Sequence, residues 1–240
     1  MLRLGIAAES PRDATSTSGL GDRVIVEAAE WADGQLDDVR LWHGMSEERY
    51  LDVHHATRLA KSRGLPVYGH FRDGPGVLDA QLMRAVLALF ADEDAPPSVV
   101  VVSRDTDEDE ERQLGFVQAR DQEEWPFDAI LASAHPEHEA WLLVAFEPTS
   151  DAERAALAEA RRDLGFDPTR HPHELKAGHE GAKRNAKRVL SQLCEADDAE
   201  ERLLAAPLDT LRAYGHTCGL TRFLTDFRAA VAPHLGAGPA

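Results

Sequence analysis

The chain of 240 residues carries 26 Lys and Arg against 43 Asp and Glu, a formal net charge of −17. That balance excludes a protein that grips nucleic acid through its overall field, so a nucleic-acid role needs metal ions, a local basic patch or a basic partner. Hydrophobic residues make up 43%, enough for a sizeable core, while the absence of an apolar run of about 18 residues excludes a membrane span.

The opening "MLRLGIAAES" lacks the long apolar stretch of a signal peptide. The only cysteines, Cys194 and Cys218, have no ligand-like spacing and read as free thiols in a reducing, cytoplasmic setting. In chain order, Leu2–Ala8 reads as a strand ending at Glu9, and "SPRDATSTSGLGD" as a loop of turn formers. Residues 20 to 32 read as a helix with Val24, Ala28 and Trp31 at helical spacing. "DDVRLWHG" is a short strand, and "SEERYLDVHHATRLAKSRG" a helix with Ser46 as N-cap and Gly64 as its stop. "LPVYGHF" is a third strand, "LDAQLMRAVLALFADED" an amphipathic helix, and "APPS" a break. The four valines of "SVVVVSRD" read as a strand buried on both faces. A helix over 110 to 124, the strand "FDAILASA" and the helix "PEHEAWLLVAF", with Pro136 in its first turn, complete the alternation. The pattern predicts an α/β domain over 1–150, with a mainly parallel sheet flanked by helices. Residues 151–240 read as a helical C-terminal extension, with helices in "DAERAALAEARRDLG", "EGAKRNAKRVLSQLC" and "GLTRFLTDFRAAVAPHL" before a frayed "GAGPA" tail.

Carboxylates gather where an open parallel sheet binds ligands, beyond the carboxyl ends of its strands. Glu9 ends the first strand, with Asp13 four residues on; Asp105 and Asp107 follow the valines; Glu139 follows "ILASA" at the start of a helix. In an extended segment, residues i and i+2 point the same way, so Asp105 and Asp107 can face a shared hard cation such as Mg²⁺ or Mn²⁺. A solvated acidic loop leading into a helix N-terminus is the alternative, because the helix dipole favours acidic residues there. An EF-hand starting at Asp105 fails, since Glu110 and Phe116 stand where Gly and Glu are required. A dehalogenase-type phosphatase is weakened by Asp109 in place of Thr.

"ESPRD" after the first strand, "VVVVSRDTDED" after a central one and "ILASAHPEHEAWLL" after the next resemble the Toprim family, especially compact stand-alone members related to the OLD and RloB-like nucleases. Glu9 and Asp13 match the first motif of that family, Asp105 and Asp107 its Asp-x-Asp, and Glu139, Trp141, Leu142 and Leu143 its Glu-x-Trp-Leu-Leu. The resemblance covers about 1–150. It implies a Toprim-like, Rossmann-like sheet, Mg²⁺ or Mn²⁺ held by Glu9, Asp13, Asp105, Asp107 and Glu139, and Glu9 as general acid/base. It departs from the pattern at Ser10, where Gly is usual, and in "ATSTSGLGD", read as an insertion that delays the first helix.

The one strongly basic stretch is 170–190. Placed on one helix, Lys183 with Lys187 and Arg184 with Arg188 are like-charged i,i+4 pairs that an anionic partner would relieve. Lys176, Lys183, Lys187, Arg184 and Arg188 are therefore the candidate contacts to DNA or RNA, with pairing to the protein's own acidic residues as the alternative. The 11 histidines show no zincin pattern, and they, with His171 and His173 in a loop without a cysteine, read as scattered surface or satisfied residues. The expected function is a metal-dependent phosphodiesterase, a nuclease acting in defence against phage or plasmids. The alternatives are a non-catalytic Toprim-like subunit working with an ATPase or other protein partner, and a small-molecule phosphatase. Self-association is left open.

Overall fold

The chain opens with β1 (Leu2–Ala8), buried at every position but Arg3. The computed structural model describes all residues except 46–47, 69, 72–73, 76–77, 108, 122, 180 and 237–240. After β1 come α1 (Pro11–Ala28), α2 (Leu36–Val39), β2 (Arg40–His43), β3 (Leu51–Asp52), α3 (Val53–Ser62), β4 (His70–Phe71), β5 (Gly74–Pro75) and α4 (Leu78–Ala91). There follow β6 (Val99–Asp105), α5 (Glu110–Asp121), β7 (Asp128–Ala134), α6 (Glu139–Ala145), α7 (Asp151–Leu164), α8 (Ala186–Leu193), α9 (Ala196–Ala205), α10 (Leu208–Tyr214) and α11 (Leu220–Val231).

The fold is α/β, with a central parallel sheet of order β2–β1–β6–β7 flanked by helices. β3 pairs with β1 at Ala7 and Ala8, beyond the stretch of β1 that β2 covers. β4 and β5 form a separate antiparallel pair. No helix among the described residues is long and apolar enough to cross a membrane. The chain divides into two compact units, the first made of Met1–Arg104, Asp109–Ala132 and Phe223–Ala240, the second of Asp105–Glu108 and Ser133–Arg222. These divisions fall at other places than residue 150, because 133–150 groups with the later helices and the chain from Phe223 onward groups with the sheet.

In unit one, Val99 to Val102 are fully buried, as their apolar run predicts. Burial of such a side chain is worth about 1.5–3 kcal/mol over leaving it exposed. One core layer joins Val100 and Val102 to Leu51, Val53, Met83, Val86, Phe90 and Phe116 from β3, α3, α4 and α5. Gly115 of α5 lets that helix touch α4, since a Cβ there would lie 2.6 Å from Asp79 Cβ and 2.7 Å from the Ala80 nitrogen.

The expected loop over residues 10–22 is instead the first part of α1, which corrects the notion of an insertion delaying that helix. Ser10 is its N-cap, accepting from the Asp13 N–H at 3.2 Å, and Pro11 occupies the first turn. The hydroxyls of Thr15 and Ser18 donate back to the carbonyls of Pro11 and Ala14, and the buried Thr17 hydroxyl donates to Ser103 Oγ at 3.0 Å. With their hydroxyl hydrogen bonds met, these weak helix formers no longer compete with the helix. Asp22, one turn later, accepts from Arg40 Nε and Nη2 and from Trp42 Nε1, each at 2.7 Å, and so ties α1 to β2.

Three smaller expectations also change. α1 ends at Ala28, and Trp31 lies in a short 3-10 turn. The helix expected from Ser46 starts at Val53, capped by the Asp52 carboxylate, which accepts from the His54 N–H; Ser46 itself lies outside the described residues. Of "LPVYGHF", His70 and Phe71 are strand, while Gly69 and the tail from 237 onward lie outside the described residues.

Unit two is built around α6, which packs against α8, α9, α10 and the 3-10 turn Pro172–Glu174. Trp141 is fully buried, its indole N–H donating to the Cys218 carbonyl at 2.8 Å; the same oxygen accepts from the His135 N–H at 3.1 Å. Gly219, at φ +84°, brings the chain against the Ser133 carbonyl, where a Cβ would collide. Pro136 precedes α6 by more than its first turn, since that helix begins at Glu139. Both cysteines are free, and burial pushes the Cys218 thiol up to about 12.

Arg202 of α9 clamps α7 by donating to Glu153 Oε1 at 2.6 Å, with its guanidinium over the Phe146 ring at 5.1 Å. Arg202 and the Thr149 N–H lower the Glu153 pKa from 4.5 to about 2. A carboxylate depressed on folding stabilises fully above its unfolded value and loses that contribution as pH falls through its folded value.

Two predictions follow from these contacts. Gly115→Ala is expected to destabilise by about 1–3 kcal/mol in urea unfolding, against less than about 0.5 for Gly178→Ala, whose added Cβ meets open space. As pH falls from 4.5 towards 2, the wild-type urea midpoint should drop more steeply than that of Glu153→Gln; parallel curves would contradict the Arg202 clamp.

Candidate functional site

β6 ends at Asp105, and the next residues are pinned by backbone and side-chain bonds within unit two. The Thr106 N–H donates to the Ala134 carbonyl at 2.9 Å, and its hydroxyl lies 2.8 Å from His135 Nδ1. The Asp107 N–H donates to the Pro136 carbonyl at 3.0 Å. Asp107 itself has φ +45°, a left-handed conformation that Asp tolerates better than most side chains but still at a cost. These bonds override extended geometry at Asp107, so the i,i+2 alignment expected of Asp105 and Asp107 does not continue along a strand.

Asp107 lines a cavity of about 500 Å³ with Pro136, Glu137, Lys176, Asn185 and Lys187 among its walls. Lys187 Nζ sits 3.4 Å from Glu137 Oε2. Burial alone would lower the Lys187 pKa, but the carboxylates of Glu139, Glu137 and Asp105 outweigh it and raise the value. One ammonium is thus held within the field of three carboxylates. Asn185 caps α8, accepting from the Arg188 N–H at 2.9 Å, while its amide donates to the Ala177 carbonyl at 2.9 Å. That fixes the strip carrying Lys176 beside the helix carrying Lys187.

The basic stretch needs correction. α8 begins at Ala186, so Lys183 and Arg184 lie in the turn before it and form no i,i+4 pairs with Lys187 and Arg188. Asn185 offers the N-cap, and the helix starts after it rather than at residue 180. Arg184 lies over the Phe166 ring at 5.4 Å, and Arg188 donates to the Gly181 carbonyl at 2.8 Å. Lys176 and Lys187 line the cavity.

Glu9 and Asp13 belong to unit one. Glu9 Oε1 accepts from Arg104 Nε at 3.1 Å and lies 3.9 Å from Arg112 Nη1; Arg104 also pairs with Asp79. Asp13 stands in the first turn of α1, where the helix dipole favours it. In unit two, Asp105 and Glu139 converge electrostatically on Lys187, while no three of Asp105, Asp107, Glu137 and Glu139 bring ligand atoms within 4.8 Å of one another. Among the described residues, the group that meets that spacing is His171, His173 and Glu174. Burial, first among the causes, lowers the His173 pKa.

Glu137, Asn185, Arg104 and Arg112 were not singled out from sequence. Asn before "AKRVL" is a readable cap signal, and Glu137 stands in the same "HPEHE" as Glu139. Nothing local in "SRDTD" distinguishes Arg104, because its partners Glu9 and Asp79 are distant in sequence.

Removing one of the carboxylates around Lys187 should weaken its hold on the proton. Glu137→Gln is expected to lower the Lys187 pKa in an NMR titration of its side chain, and an unchanged value would show that Glu137 does not set it.

No family model, no curated protein and no solved structure matches the chain.

Proposed function

We propose that this chain hydrolyses phosphodiester bonds of DNA or RNA with Mg²⁺ or Mn²⁺, in the manner of the Toprim nucleases it resembles. The observation that carries the proposal is the mixed site of unit two, where Asp105, Glu137 and Glu139 act on Lys187, and Asp107 and Glu137 share a cavity with Lys176 and Lys187. Its carboxylates are oxygen-only donors, the chemistry hard divalent cations take. Asp105, Asp107 and Glu139 do not share one coordination sphere in this arrangement and would have to draw together to hold such an ion, which would supply Lewis-acid polarisation of a phosphate oxygen.

The remaining work falls to side chains. Lys176 and Lys187 neutralise phosphate oxygens as compact point charges. Asn185 keeps both in place through its bonds to Ala177 and Arg188. Hydrolysis adds the oxygen of water to phosphorus and breaks the bond to the leaving oxygen, so the proton taken from water must be returned, directly or through solvent, to the leaving oxygen. The resemblance assigns acid–base duty to Glu9, which in unit one is compensated by Arg104 and Arg112.

That compensation favours a second function. A Toprim-like subunit without catalysis, working with an ATPase that holds the nucleic acid, has no need of an unpaired Glu9, and its net charge of −17 fits a protein that does not bind nucleic acid alone.

Assays on single- and double-stranded DNA and RNA with millimolar Mn²⁺ separate the two. Asp105→Ala and Glu139→Gln are expected to lose about 100-fold or more in rate, Lys187→Ala to raise KM, and Asp109→Ala to behave as wild type. Wild-type cleavage by Asp105→Ala, or none by the wild-type chain on any substrate, would sink the hydrolase. Glu9→Gln cleaving as fast as wild type would remove Glu9 from the chemistry.

A further inference from the structure

We propose that His171, His173 and Glu174 bind one divalent transition-metal ion of the zinc class. Their ligand atoms already lie within 4.8 Å of one another. Two imidazoles and one carboxylate are the donor set that zinc and its neighbours prefer, and one that Mg²⁺ does not select. This site is separate from the all-oxygen carboxylates of the proposed hydrolase and does not depend on that function.

The backbone holds the ligands before any ion arrives. His171 and His173 flank Pro172, which is buried and begins a 3-10 turn. The Glu174 N–H donates to the His171 carbonyl at 3.1 Å, and the Leu175 N–H to the Pro172 carbonyl at 3.0 Å. Upstream, the His171 N–H donates to the Asp167 carbonyl at 2.9 Å, and Asp167 Oδ1 accepts from the Thr169 N–H and hydroxyl. The two rings stand edge to face, with centroids 6.0 Å apart. Arg170, the residue before His171, holds its guanidinium over the Tyr214 ring at 3.7 Å.

His173 Nδ1 supplies the independent observation. It is a buried polar atom without a hydrogen-bond partner, a state that costs free energy unless something satisfies it. A metal ion ligated by this nitrogen would satisfy it. The turn runs directly into Leu175, Lys176, Ala177 and Gly178, which line the unit-two cavity. An ion there would therefore stiffen the strip that presents Lys176.

The test uses the full chain after removal of metal with EDTA, without nucleic acid or Mg²⁺. Titration with Zn²⁺ by calorimetry, and with Co²⁺ by visible absorption, should show one equivalent bound. His171→Ala, at an exposed residue, and the isosteric Glu174→Gln should each weaken zinc at least about tenfold, with unchanged circular dichroism. Asp105→Ala and a His54→Ala/His55→Ala variant should bind as wild type. Zinc should also slow tryptic cleavage after Lys176 in the wild type but not in His171→Ala. Equal zinc affinity in wild type, His171→Ala and Glu174→Gln, or no binding at micromolar zinc, would overturn the site; unchanged cleavage would overturn its effect on the strip. Neither result bears on Mn²⁺-dependent hydrolysis by the carboxylates.

Discussion

Carboxylates brought together at the ends of strands repel one another, and in each unit of this protein a cation answers that repulsion. In unit two the cation is Lys187, 3.4 Å from Glu137 and under the influence of Glu139 and Asp105. In unit one it is Arg104, shared by Glu9 and Asp79, with Arg112 behind it. The chemistry available to the site follows from how these charges are balanced. A lysine whose ammonium is favoured by three carboxylates stays charged and supplies their counter-charge. An arginine cannot be deprotonated, so Glu9 stays compensated for as long as Arg104 remains in place.

Local backbone bonding is what delivers these groups. Thr106 and Asp107 are fastened to Ala134 and Pro136, which turns the chain out of β6 before the next acidic residues. Asn185 does the same on the opposite wall, capping α8 with one end of its side chain and holding Ala177 with the other. The short turn at Pro172 then links the strip of Lys176 to a histidine pair.

Much of this was legible in the residues. β1 could be read to the residue, and the run from Val99 to Val102 reads as a buried strand because only burial on both faces tolerates continuous valine. A helix in "PEHEAWLLVAF" was legible too, and α6, which it contains, is central to unit two. The stretch 10–22 was not legible as helix. Ser, Thr and Gly are weak helix formers, and what reverses them is the Ser10 cap, the back-bonded hydroxyls and the buried contact of Thr17 with Ser103, 86 residues away. The start of α8 was missed for a related reason, since helical periodicity continues smoothly through Lys183 and Arg184 and only the Asn185 cap interrupts it.

By itself, the sequence determined the alternation of strand and helix, the burial of the central strands and the placing of acidic residues after them. Those features depend on hydrophobic period and local propensity, which neighbours along the chain set. The tertiary structure alone decided which cation meets which carboxylate. It placed Arg104 on Glu9 and Lys187 on Glu137, and it drew Arg184 and Arg188 away to Phe166 and Gly181. Charge pairing acts through space and weakens with separation and screening, so residues far apart in sequence settle it only once the fold has brought them close.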